Sequence, residues 1–192
     1  MSRPKFGSYE PIDQPQTSRD DPNDEAECAA AAAGLPLRSG FGFTAIENIT
    51  LDVFRFVCMS YGSGDAAFWH RAHDHAEASF GLLRGADLVA RVTVLVRALR
   101  IERQGCFRIL SAGCCRVCED ELAVQTVIKA ARLRETEALL IVSELLAKCH
   151  ERKKILTAAN ALARLQEALQ SEVSGNENMA ASHAQLERKV LH

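Results

Sequence analysis

The chain has 192 residues, 47% of them hydrophobic and 25% charged, with a formal net charge of −2. That length fits one domain with tails, at roughly 100–200 residues per domain. The near-neutral balance excludes a globally basic nucleic-acid binder or a membrane-surface polycation. Charge is unevenly spread: residues 1–83 hold six basic and twelve acidic side chains, residues 84–134 ten and five, residues 135–192 seven and eight. A basic middle beside an acidic front implies pairing within the fold or a face for an acidic partner.

Four of the five prolines fall within residues 1–27, among Ser, Asp, Asn and Gln with little to bury, so this stretch is predicted to be disordered. Asn23 or Asp24 is placed to cap a short Ala-rich helix over Glu25–Ala33, and Leu35–Phe43 reads as a linker. The polar start MSRPKFGSYEPIDQ has no secretory pattern, and the longest apolar stretch, Leu88–Leu99, is interrupted by Arg91 and Arg97. It falls well short of the ~20 residues of a membrane span. The expectation is a reducing, cytoplasmic setting for the seven cysteines.

After Pro36 there is no proline, and glycine is absent between Gly113 and Gly175. With the strongest helix breakers so confined, the spacing predicts an all-α fold. Residues 1–39 form the tail and linker, 40–173 a single helical bundle-like domain of five or six helices, and 174–192 a polar, frayed end. Thr44-Ala-Ile-Glu47 is a capping box opening the first helix, which Gly62 closes. A second helix runs from Asp65 to about Leu83 with Trp69, Ala72, Ala76, Phe80 and Leu83 as its apolar stripe. A third covers about Ala86–Arg103, with Leu88, Val92, Leu95, Val96 and Leu99 on one face. Its β-branched content keeps a strand in view, but its length favours helix.

Helix resumes at Glu119, whose acidic first turn suits the positive end of the helix dipole. Leu139, Val142, Leu146 and Cys149 mark one further helix, and Ile155, Ala158, Leu162, Leu165 and Leu169 another. The charged turn Glu151–Lys154 joins them as an antiparallel pair. The second set is a two-heptad stripe. Left exposed it would serve a protein partner or self-association; buried, it moves any partner surface elsewhere.

Two constellations carry chemistry. Cys115 and Cys118 form a C-x-x-C, the spacing at which a turn aims two thiolates at one zinc ion, with Cys106, Cys149 or His150 as further ligands. Cys118 also sits at a helix N-cap, where exposed amides and Arg116 favour a thiolate while Glu119, Asp120 and Glu121 oppose it. The other is His70, His73, Asp74 and Glu77 at i, i+3, i+4 and i+7, one strip beside the buried face of the second helix. Di-metal bundles use such geometry but need a matching motif on a facing helix. No Gly-x-Ser-x-Gly elbow or phosphate loop is present, and the Arg-rich middle lacks the aromatic interleaving of a nucleic-acid face. The leading expectation is a non-enzymatic helical interaction or regulatory module. The alternatives are a metal or redox sensor on Cys115/Cys118 and a helical metalloenzyme on the histidine strip.

Overall fold

The structure, a computed structural model, describes residues 33–148 and 152–190, with side chains given through residue 172. The possible Glu25–Ala33 helix lies almost wholly outside these residues, as do Cys149, His150 and Glu151. Among the described residues the fold is all-α: α1 (Ala45–Ser63), α2 (Ala66–Glu102), α3 (Glu119–Leu133), α4 (Thr136–Ala147) and α5 (Lys153–Val190), after a 3-10 turn at Arg38–Phe41.

The Thr44 hydroxyl accepts the Glu47 N–H at 3.3 Å, and Glu47 Oε2 accepts the Thr44 N–H at 2.8 Å, closing the predicted capping box of α1. Asp65 caps α2 by accepting the Ala67 N–H at 2.8 Å. The helix then breaks at Gly81 (φ 73°, ψ 169°), a conformation essentially reserved for glycine. The chain doubles back so sharply that a Cβ on Gly85 would stand 2.6 Å from the Glu77 nitrogen. Two limbs of α2 therefore meet at a tight corner, as the predicted helix junction implied. One detail is corrected: Leu83 does not extend the first limb's apolar stripe. The corner interrupts the helical phase and leaves Leu83 83% exposed.

α1 packs against α2, and α5 runs antiparallel to the second limb of α2. Arg84 pairs with Glu172, the Arg91 guanidinium donates to the Ala161 carbonyl at 3.0 Å, and Glu102 accepts the Ile155 N–H at 2.9 Å. The core draws Val53, Phe54 and Val57 from α1, Leu88, Val92, Leu95 and Leu99 from α2, and Ile128 from α3, with Leu146 from α4. At ~1.5–3 kcal/mol for each large apolar side chain buried, these contacts dominate the driving force. Ile49, Trp69, Phe80 and Leu139 pack against this core only partly buried, and Leu122 is likewise half-buried. On the first limb the fully buried positions are instead Ala72 and Ala76.

Four further features stand out in the second half of the chain. Leu162, Leu165 and Leu169 are buried together with Ile155, so the 155–169 stripe is core and any partner surface lies elsewhere. α4 places most of its contacts on α3, with few on α5, so 136–147 and 153–172 are not a closely packed hairpin. α3 and α4 end at Arg134 (φ 59°) and Lys148 (φ 55°), side-chain-bearing residues in the left-handed region where glycine is the usual signal. The backbone of α5 continues past Gly175 to Val190. A lone glycine costs only ~1 kcal/mol, and no proline follows to stop it. No helix among the described residues is long and apolar enough to cross a membrane.

Candidate functional site

The connection between α2 and α3, residues 103–118, carries three of the cysteines singled out from sequence, and a buried ion pair holds it in place. Arg55 and Glu121 are both fully buried. Glu121 Oε1 accepts from Arg55 Nε at 2.8 Å and from the Leu110 N–H at 2.8 Å. Its Oε2 accepts from Arg55 Nη2 at 2.9 Å and from the Cys118 N–H at 3.0 Å. The remaining Arg55 hydrogens go to the carbonyls of Cys114 at 2.8 Å and Arg116 at 2.6 Å, with a longer contact to Ser111 at 3.4 Å. Burial pulls the guanidinium down, but the hydrogen bond and charge of Glu121, with Asp52 behind them, outweigh it and leave Arg55 raised. Two charges from elements 66 residues apart thus satisfy the backbone of an irregular loop.

Against the far side of this loop lies Leu35–Arg38, which the sequence suggested was a free linker. The Arg38 N–H donates to the Cys115 carbonyl at 2.8 Å and the Val117 N–H to the Pro36 carbonyl at 3.0 Å, a single antiparallel bridge. The Arg38 guanidinium reaches Asp52 Oδ1 at 2.8 Å and the Asn48 carbonyl at 2.9 Å. The segment is therefore fastened to both α1 and the cysteine loop. An unpaired backbone lying on the domain gains by taking the loop's free amides and carbonyls.

This arrangement decides what the cysteines can do. Cys106 and Cys115 are exposed, whereas Cys58, Cys114 and Cys118 are buried. Cys118 Sγ donates to the Arg108 carbonyl at 3.3 Å. Burial, then the charge of Glu121, pushes its thiol up to about 12, the opposite of the activated thiolate that an N-cap position suggested. Among the described residues, no three His, Cys, Asp or Glu side chains are grouped to hold a metal ion. Cys149 and His150, named as further zinc ligands, fall outside those residues.

The histidine strip is equally dispersed. His70 and Asp74 are exposed on the first limb of α2. His73 Nδ1 stands 3.5 Å from Glu77 Oε1, an i,i+4 pair, and stacks edge-on to Trp69. His75, on the other side of the helix, approaches Asp52 at 3.8 Å and the Phe56 ring. The four strip residues thus bring no facing ligand set together.

The structure instead exposes a groove that periodicity did not single out. Between the second limb of α2 and the start of α5 lies an open cleft of about 520 Å³, lined by Val94, Arg97, Ala98 and Ile101 from one helix and Lys153, Lys154, Thr157 and Ala158 from the other. Val94 is 54% and Ile101 63% exposed. They lie two turns apart on one helical face, with Arg97 between them. At the head of the groove Glu102 caps α5, accepting the Lys154 and Ile155 N–H groups at 2.8 and 2.9 Å. Most other cations of the basic middle are spent internally: Arg103 on Asp120 at 2.8 Å, Arg132 on Glu47 at 2.6 Å and Arg91 on Asp87 at 2.9 Å. Among the described residues no ion pair involves Arg97, Lys153 or Lys154. A smaller hollow of about 330 Å³ is lined by Phe41, Phe43, Leu122 and Leu133 among others. The sequence signal for the groove was Val94 and Ile101 standing off the core face of their helix; what they stand beside required the fold. No protein-family model, curated protein or solved structure matches the chain.

Proposed function

We propose that the chain is a non-enzymatic helical interaction module whose docking surface is the groove between α2 and α5. The observation that carries this reading is the concave pairing of exposed Val94 and Ile101 with Ala98 and Ala158. Large apolar side chains scattered singly on a surface need no explanation. Two on one helical face, beside a cleft of ligand-pocket volume, fit the helix-in-groove mode of recognition. The buried Arg55–Glu121 pair and the Arg38 fastening support the same reading, since they spend the fold's polar chemistry on rigidity. A cytoplasmic, reducing setting fits Cys58, Cys106, Cys114, Cys115 and Cys118, none of which forms a disulfide.

The test compares three forms of the full chain as bait in extracts of the source cells: wild type, Val94→Asp/Ile101→Asp, and Ile141→Asp/Leu145→Asp on the exposed face of α4. All four positions are solvent-exposed, so each variant should fold with little change in stability. The reading requires a partner retained by wild type and the α4 variant and lost from the groove variant. A set of captured proteins identical across the three forms would overturn it.

A further inference from the structure

We infer that the partner presents an acidic amphipathic helix to this groove, an assignment that rests on the docking reading above. The groove wall carries three cations, Arg97, Lys153 and Lys154, and one carboxylate, Glu102. Both oxygens of that carboxylate are already occupied by the amides of α5. The rest of the lining is largely carbon: the buried Ala98 and Ala158 with the exposed Val94 and Ile101. A ligand that meets both must place an apolar stripe on this carbon and negative charge along the rims.

The dimensions favour a helix. Val94 and Ile101 are seven residues apart, roughly 10 Å along the axis at 1.5 Å per residue. An incoming helix with apolar side chains at i, i+3 or i+4, and i+7 matches that length with two turns. Glu or Asp flanking the stripe then falls towards Arg97 on one rim and Lys153 and Lys154 on the other. Charge complementarity of this kind steers encounter and fixes register.

A second copy of this chain fits less well. A two-fold interface sets the same patch against itself, so Arg97, Lys153 and Lys154 would face their own counterparts across an apolar seam. Nucleic acid would satisfy the cations but leave Val94 and Ile101 against a polar backbone, with no aromatic side chain among the groove-lining residues to stack a base.

The probe is a fluorescein-labelled, side-chain-stapled twelve-residue peptide with Leu at i, i+4 and i+7 and Glu on both flanks. A matched peptide carries Lys in place of Glu, and a labelled single-stranded oligonucleotide completes the set. Fluorescence anisotropy against the full chain should give saturable binding of the Glu peptide, weakening as salt rises. The triple variant Arg97→Glu/Lys153→Glu/Lys154→Glu should lose about tenfold or more in affinity for the Glu peptide and gain for the Lys peptide. Val94→Asp/Ile101→Asp should lose binding of the Glu peptide. Equal affinity of wild type for the Glu and Lys peptides would overturn the acidic assignment while leaving the groove as a docking surface. Tighter binding of the oligonucleotide than of the Glu peptide, or no binding of the Glu peptide, would also overturn it. The bait comparison above then decides separately whether the docking reading stands.

Discussion

Replacing Glu121 and Arg55, singly and together, separates an ordinary buried ion pair from one that holds a loop. Glu121→Leu leaves the fully buried Arg55 charge uncompensated, and Arg55→Met does the same to Glu121. Each single change should cost about 3–5 kcal/mol. In a plain buried pair the double replacement is often neutral or even stabilising, because both desolvation penalties vanish together. Here the double variant also strands the carbonyls of Cys114 and Arg116 and the amides of Leu110 and Cys118, each within 3.0 Å of a pair atom in the native fold. Unsatisfied buried groups cost ~1–3 kcal/mol each, and water can reach some of them near the loop surface. The double variant is therefore expected to stay about 2–4 kcal/mol below wild type. Urea unfolding followed by far-UV circular dichroism should show its midpoint lowered by about 1–2 M, given m-values of ~1–3 kcal/mol/M. A double variant as stable as wild type would refute the loop-holding role.

Other outcomes follow from single features. Gly85→Ala drives a Cβ to within 2.8 Å of the Ala76 and Glu77 backbone, so it should lower stability by about 1–3 kcal/mol or more in the same urea assay; an unchanged midpoint would count against the tight corner. Lys148→Gly relieves an exposed left-handed C-cap (φ 55°) and should stabilise by about 0.5–1 kcal/mol, where a loss would contradict the cap. Cys118 is held near 12 by burial and the Glu121 charge, so the native state keeps a proton that the unfolded chain releases above about 8.5. Stability should be whole below about pH 8.5 and fall as pH climbs towards 12, and Cys118→Ala should flatten part of that fall. Equal losses between about pH 7 and about pH 10 in both proteins would show the thiol to be uninvolved. In a Cys28→Ser/Cys149→Ser background, Cys106 and Cys115 should label rapidly in the native protein, and Cys58, Cys114 and Cys118 only on unfolding.

The all-α class was legible because breakers are negative information that needs no partner: after Pro36 the chain offers few places to stop a helix. The Thr44–Glu47 box was equally legible, since all its atoms lie within four residues. Arg134 and Lys148 were not. Arg134 sits where α4 turns back onto α3 and Lys148 where α4 ends, and arginine or lysine announces nothing about φ. Arg55 could have drawn notice as a charge inside Val53–Cys58, but its partner lies 66 residues away and local pattern does not pair them. The cysteine run looked like a site because spacing is visible in sequence, whereas the burial that raises the Cys118 pKa is not. For the groove, Val94 and Ile101 were visibly off the core stripe. Only the antiparallel placement of α5 sets Lys153 and Lys154 across from them.

Amide chemical-shift mapping of the full chain against the Glu peptide tests the central claim most directly. The account predicts perturbations concentrated at residues 94–101 and 153–158, absent with the Lys peptide and abolished in Val94→Asp/Ile101→Asp. Perturbations centred on residues 140–145 of α4, or spread without focus over the surface, would contradict it.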